Sequence, residues 1–356
     1  MPLVRAVVAT RSSCMGSTNR ARWSAAALFV VGLVACGGAA TPASDAGPDA
    51  PLATLDSSVP DAAPAPEAGA GVDAGPDARD SQAEASPEAG PVTCGAEKLR
   101  VVAGNLAGAG GTYDDARGVR ILSGLRPDVA LLQEVRYGDN SATAQRAFVD
   151  AAFGPTYTYI RGRITGAVDI PNAVVSRFPI LDSGEWIDPA VANRTFVWAR
   201  IDVPGPADLY AISVHLLTTN VGDRERQARA LVDLVERLPA GTHVVLGGDL
   251  NTTSRAESTL TVLGQVLVTS GPYPVDQAGN GNTNTPRSRP YDWVLASSRL
   301  DTCKAPVAIG AASFSGGLVF DSRVYAPLGD VAPVEPSDSD SPLQHMAVVR
   351  DFTLPR

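Results

Sequence analysis

The sequence has only four cysteines in 356 residues and no Cys-x-x-Cys spacing, so neither a disulfide-built scaffold nor a cysteine-held structural zinc is expected. Aromatic residues are 6% of the chain, too few for a platform that stacks nucleobases. Positive charge is not in excess. With 29 Lys+Arg against 38 Asp+Glu, the net charge of −9 disfavours a protein that coats nucleic acid through a basic surface. No GxxxxGK[ST] or GxSxG motif occurs, which removes support for a P-loop nucleotidase and for an α/β-hydrolase. The Gly-rich stretch 104–111 fails as a dinucleotide fingerprint, because Tyr113 stands where the third glycine belongs.

What is present begins with an N-terminal address. Arg20 and Arg22 precede the apolar run Ala25–Ala35, about half of the ~20 residues a membrane-spanning helix needs. Charged flank, short apolar stretch and small residues read as a secretory signal over residues 1–35, translated from Met1 or from Met15. The run closes on Leu33-Val34-Ala35-Cys36, which resembles the bacterial lipobox and makes Cys36 the candidate lipidation site; ordinary signal cleavage nearby is the alternative. Residues 36–93 are rich in Ala, Pro, Gly, Asp and Ser and contain no aromatic residue, so they read as a disordered tether. The expectation is an exported bacterial lipoprotein, membrane-anchored, in the periplasm or at the cell surface. Cys94 and Cys303 remain; in an exported domain they suggest one disulfide pinning the domain's start, with two free thiols as the other possibility.

Residues 94–356 are enough for one α/β domain. Apolar, β-branched runs predict strands at 99–106, 129–135, 157–161, 173–180, 196–203, 209–216, 243–249, 291–296 and 346–352. Helical patterns lie at 115–125, 142–152 and 223–238; in the last, Ala228, Leu231, Val232, Val235 and Leu238 form one stripe. Arg224 and Arg226 lie off it and read as a solvated face. Several strands follow one another without room for a helix, so the sheets should be mixed.

The informative feature is the polar residue at the end of apolar strands. VVAGNL carries Asn105, VALLQEV Glu134, YAISVHL His215, VVLGGDLNT Asp249 and Asn251, PYDWVLA Asp292, and LQHMAVV His345. Two of only three histidines are in this set; His243 has no such company and reads as structural or surface. Taken singly, each residue also has a bland reading as a turn, cap or solvated strand end. Together they suggest one cleft at a sheet edge. Carboxylates and amide oxygens are hard ligands that suit Mg2+, Mn2+ or Ca2+. With histidines added, they fit metal-assisted attack on a phosphate ester.

The order N…QE…NAVVSRFPI…VHL…GGDLN…YDWVL…H resembles the endonuclease/exonuclease/phosphatase superfamily over nearly all of 98–354. The resemblance implies a four-layer α/β sandwich, two mixed β-sheets face to face with helices outside. It implies a metal on Glu134 with Asn105 beside it, and Asp249 aligning or deprotonating the attacking water. Asn251 would touch the phosphate, and His345, oriented by Asp292, would lie near it. His215 would bind phosphate or protonate the leaving oxygen. Asn172 and Arg194 are candidate phosphate contacts. One departure stands out: the family reads Ser-Asp-His before the last strand, whereas Gln344 precedes His345 here. Either Asp340, near Asp338, substitutes through a loop insertion, or Gln344 supplies an amide oxygen. The expected activity is hydrolysis of a phosphodiester, with extracellular DNA or RNA as first candidate and the chain a monomer. A lipid head group, a phosphomonoester, or a silent module that binds a phosphorylated ligand are the alternatives.

Overall fold

A computed structural model describes residues 92–356. The signal segment, Cys36 and the tether up to residue 91 lie outside the described residues. In chain order the elements are β1 (Cys94–Gly104), α1 (Ala116–Leu125), β2 (Val129–Leu132), α2 (Ala142–Ala152), β3 (Thr158–Arg161), β4 (Ala173–Ser176), β5 (Ile180–Ile187), β6 (Thr195–Ile201), β7 (Leu209–His215), α3 (Val221–Glu236), β8 (His243–Asp249), α4 (Ser258–Leu263), β9 (Asp292–Ala296), α5 (Ser298–Asp301), β10 (Lys304–Ala305), β11 (Val307–Ile309), β12 (Ala312–Phe314), β13 (Leu318–Phe320) and β14 (Ala347–Pro355). The three long helices start where a short polar side chain caps the first turn. Asp115, Ser141 and Asn220 accept from the backbone N–H of Arg117, Ala144 and Asp223.

Two mixed sheets result. One runs β10-β14-β1-β2-β4-β3 with β13 also on β14, and the other runs β5-β6-β7-β8-β9. Alternation along the strands builds four layers. Val101, Ala103, Leu131 and Val174 of the first sheet meet Val197, Ala211, Val245 and Val294 of the second in one buried core. The next residues along, Val102, Ala130 and Leu132, face Ile121, Leu122, Phe148 and Val149 of α1 and α2. On the far side Ile212, Val214 and Leu246 face the α3 stripe of Ala228, Leu231, Val232 and Val235. Burying each Val, Leu, Ile or Phe among these side chains contributes about 1.5–3 kcal/mol, so the sandwich rests on this layering.

Several expectations are corrected. The run 173–180 is two strands in different sheets, parted where Pro179 cannot donate to a ladder. Short elements at 258–263, 298–301 and 304–320 were not foreseen, because two to six residues carry too little periodicity to read. Arg224 is not solvated. It is 3% exposed, and its Nε lies 2.7 Å from Glu257 Oε1. Arg226 is exposed, paired at 2.9 Å with Asp223. Cys94 and Cys303 are joined by a disulfide that ties the start of β1 to the turn after α5.

Strand direction then places the polar residues. β1 and β2 are parallel, as are β7 and β8, so their C-terminal ends lie at one rim. β14, β4, β6 and β9 run antiparallel to these neighbours, so their N-terminal ends lie at the same rim. Asn105, Glu134, His215 and Asp249 end strands of the first kind. Asn172, Arg194, Asp292 and His345 stand at or just before the start of strands of the second kind.

Candidate active site

The second sheet delivers an acid flanked by two imidazoles. Asp249 closes β8 directly opposite His215 on β7 and Asp292 on β9. Its Oδ2 lies 3.3 Å from His215 Nε2 and 3.6 Å from His345 Nδ1, while Oδ1 accepts the Asn251 N–H at 3.0 Å. Asp292 backs His345: Oδ1 and Oδ2 lie 3.3 and 3.1 Å from Nδ1. Asp292 Oδ1 also accepts the Asn105 N–H at 3.0 Å. The Tyr291 ring leans on His345 at 5.3 Å, which limits its rotation. All four titratable groups are buried.

Burial and charge set their protonation. Burial pushes Asp249 up to about 7, and the charge of Asp292 adds to it, against the pull of His345. Burial opposes charge on His345, but Asp292 and then Asp249 outweigh it and hold the imidazole up at about 9. His215 is pushed well below its ordinary value, by burial first and then by the charges of Arg194 and His345. The arrangement is a cationic His345 wedged between two acids, and a neutral His215 on the other side of Asp249.

The first sheet delivers an oxygen-rich cluster. Glu134, 5% exposed, has a left-handed backbone (φ 54°), a costly conformation that turns its side chain into the rim. Asn105 Nδ2 donates to Glu134 Oε1 at 3.0 Å, and Gln344 Nε2 donates to Oε2 at 2.8 Å. Glu134 has no ion-pair partner among the described residues. Asn105 Oδ1 is buried without a partner among them. A buried carboxylate without a cation, beside an orphaned amide oxygen and Gln344 Oε1, is a hard-oxygen set that fits a divalent cation. Ligand atoms of Asp249, Asp292 and His345 also lie within 4.8 Å of one another. The Glu134 cluster is made of oxygens alone, which suits a hard cation.

Other expected residues turn elsewhere. Arg194 was expected to contact phosphate, but its Nε donates to His215 O at 2.7 Å and its Nη2 to Leu216 O at 3.1 Å. It holds the chain that carries His215. Asn172, also expected at phosphate, is 0% exposed and donates Nδ2 to Thr195 O at 2.6 Å. Asn251 donates Nδ2 to Leu216 O at 3.0 Å, which leaves one amide hydrogen for a ligand. Asp338 is clamped by the Arg120 guanidinium and Asp340 faces Arg323 at 3.8 Å, so neither replaces the family aspartate; Gln344 stands in that place. His243 is buried away from the rim. Sequence reasoning missed Gln133, Ser213 and Thr283. Thr283 Oγ1 accepts the Asp292 N–H at 2.8 Å, and nothing in its Asn- and Gly-rich loop marks it. Gln133 and Ser213 did carry a signal, being polar residues within apolar strands.

Known proteins bear on this geometry. The structure is similar to an endonuclease/exonuclease/phosphatase from Beutenbergia cavernae at 20% identity over 72% of each chain, TM-score 0.51. It is similar to truncated TDP2 from Caenorhabditis elegans at 16% identity over 72% of this chain and 98% of that one, TM-score 0.50. An endonuclease/exonuclease/phosphatase from Bacteroides vulgatus matches at 15% identity over 72% and 99%, TM-score 0.50. At these identities the likeness is one of fold. No curated protein matches the sequence. The profile of the Endonuclease/Exonuclease/phosphatase family matches residues 105–338, more than half of the sequence, and the chain therefore belongs to that family, whose members are hydrolases acting on phosphoesters.

Proposed function

We propose that the domain hydrolyses a phosphodiester with the help of a divalent cation, with nucleic acid outside the cytoplasm as the first candidate substrate. The observation that carries this reading is Asp249, buried between His215 and His345 at 3.3 and 3.6 Å. A carboxylate poised near neutrality can align a water and accept its proton. The cationic His345, held by Asp292, faces the negative charge that builds on a phosphoryl group. His215 is kept neutral and able to pass a proton. Glu134, Asn105 Oδ1 and Gln344 Oε1 would hold Mg2+ or Mn2+, which when bound neutralises phosphate charge.

The test is turnover of bis(p-nitrophenyl) phosphate by residues 94–356, with Mg2+ or Mn2+ and with chelator. Wild-type rates in Asp249→Ala or His345→Ala would sink the reading. A panel of DNA, RNA, sphingomyelin, inositol phosphates and a nitrophenyl monoester assigns the substrate. Gln344 motivates a second reading: its neutral amide on Glu134 makes a less acidic cation seat than a carboxylate would. Binding of phosphorylated ligands with no turnover over that panel would favour a silent module. For location, we propose export and lipid anchoring at Cys36. The disulfide is in keeping with an oxidising compartment. Loss of radiolabelled palmitate from a Cys36→Ala variant checks it.

A further inference from the structure

The core between the sheets is apolar until just beneath the rim, where two amides cross it. Gln133 follows β2 and Asn172 precedes β4; Leu132 pairs with Ala173, so the two amides are neighbours across that strand pair. Gln133 Nε2 donates to Ser213 Oγ on β7 at 3.0 Å, and Ser213 Oγ donates back to Leu132 O at 2.9 Å. Asn172 Nδ2 reaches Thr195 O on β6. Each bond runs from the sheet that carries Glu134 to the sheet that carries His215 and Asp249. Gln133 adjoins Glu134, and Ser213 is two residues before His215.

The glycines of GGDLN explain themselves here. A Cβ on Gly248 would come within 2.4 Å of Gln133 Nε2 and 2.2 Å of Val214 O. One on Gly247 would come within 2.9 Å of Leu131 Cδ1 and 3.0 Å of Ala103 Cβ. The sheets approach closely at this end because β8 gives up two side chains, and Gln133 uses the space. Gln133 Oε1 and Asn172 Oδ1 are both buried without a partner among the described residues, which is unfavourable. Leucine, present at Leu131 and Leu132, would fill such positions without that penalty.

We infer that the Gln133–Ser213 tether, with Asn172–Thr195 beside it, fixes the separation between the Glu134 half of the site and the His215–Asp249 half. Gln133, Ser213 and Asn172 are positioning residues, acting through Glu134 and His215. The kinetic consequence rests on the phosphoesterase reading; the geometric one does not.

The experiment compares wild type with Gln133→Leu and Ser213→Ala. Crystal structures should show the Glu134 carboxylate displaced relative to Asp249. Turnover of bis(p-nitrophenyl) phosphate should fall about 10- to 100-fold with KM nearly unchanged, the penalty expected for a misplacement of around 1 Å. The double variant should lose no more than the worse single one, and the unfolding midpoint of Gln133→Leu should not drop. An unchanged Glu134–Asp249 separation overturns the inference whatever the kinetics, and so does a lower midpoint with unaltered turnover. If the wild type hydrolyses no phosphoester, the activity reading fails and the structures alone decide the tether. If Gln133→Leu does not fold, Ser213→Ala, which removes one oxygen atom, carries the same comparison.

Discussion

Two of the buried charge clusters in this domain, an arginine–glutamate pair and a histidine–aspartate group, are put to different ends. Behind the rim, Arg224 of α3 meets Glu257, with Nε 2.7 Å from Oε1. The Arg224 Nη1 caps Leu217 O and Thr218 O at 3.0 and 3.1 Å. Glu257 Oε2 accepts from Thr253 N and Oγ1, and its Oε1 from Thr259 Oγ1. Burial alone would raise Glu257, but Arg224 and the Thr253 N–H hold it below its ordinary value. At the rim, two acids share one imidazolium, Asp249 is driven up to about 7, and His215 Nδ1 lacks a hydrogen-bond partner among the described residues. One cluster is balanced and holds chain segments together. The other is left with unmet charge and capacity, which is what a reaction uses.

That contrast can be broken experimentally, and the effects on turnover should descend in order. Asp249→Ala and His345→Ala should lower kcat by about 10²–10⁴-fold, the range for removing an acid–base group. The unfolding midpoint of Asp249→Ala should hold or rise, because a carboxylate raised by burial has gone, whereas His345→Ala, which leaves two buried acids without their cation, should lower it; a fall in the Asp249→Ala midpoint matching the lost activity would show that the rim cluster is structural after all. Removing the cation with chelator should cost at least about 100-fold and be reversed by Mg2+ or Mn2+, with melting followed in parallel and little changed. Asp292→Asn should cost about 10–100-fold, as expected for a partner that orients a site residue. A stopped assay at saturating substrate checks whether the loss falls on kcat.

The balanced cluster should answer the other way. Arg224→Ala leaves Glu257 buried and unpaired, so chemical denaturation should show a loss of about 3–5 kcal/mol, with turnover per folded molecule nearly unchanged. Arg224→Met with Glu257→Leu should recover most of that stability, since an apolar pair of similar volume is often neutral. A large loss of kcat in this double variant would mean that Arg224 also orients the chain after His215.

Much of the fold was legible. β8 begins and ends where the run His243–Asp249 does, and the α3 stripe packs as its period implies. The polar strand ends were legible as a set, because an acid, amide or histidine closing an apolar strand is out of keeping with its neighbours. What each does was less legible. Arg194 and Asn172 look like ligands in a line of residues, yet Arg194 donates to His215 O and Leu216 O and Asn172 donates to Thr195 O. Arg224 reads as surface because it is charged, yet it stands one turn before Ala228 on the buried face of α3, and the carboxylate that pairs with it is 33 residues away.

By itself the sequence determined most of the longer strands, the apolar stripe of α3 and the list of groups able to do chemistry, because period, burial preference and turn residues act over a few positions; the four layers came only with the family resemblance. Only the tertiary structure decided which of those groups meet. Strand direction brought β1, β2, β7 and β8 to one rim with the starts of β9 and β14, and the inter-sheet spacing, set where Gly247 and Gly248 let Leu131 and Gln133 approach, joined the two halves. It also settled that Gln344, and neither Asp338 nor Asp340, faces Glu134. Such choices depend on hydrogen bonds between residues as far as 239 positions apart, and no local pattern carries them.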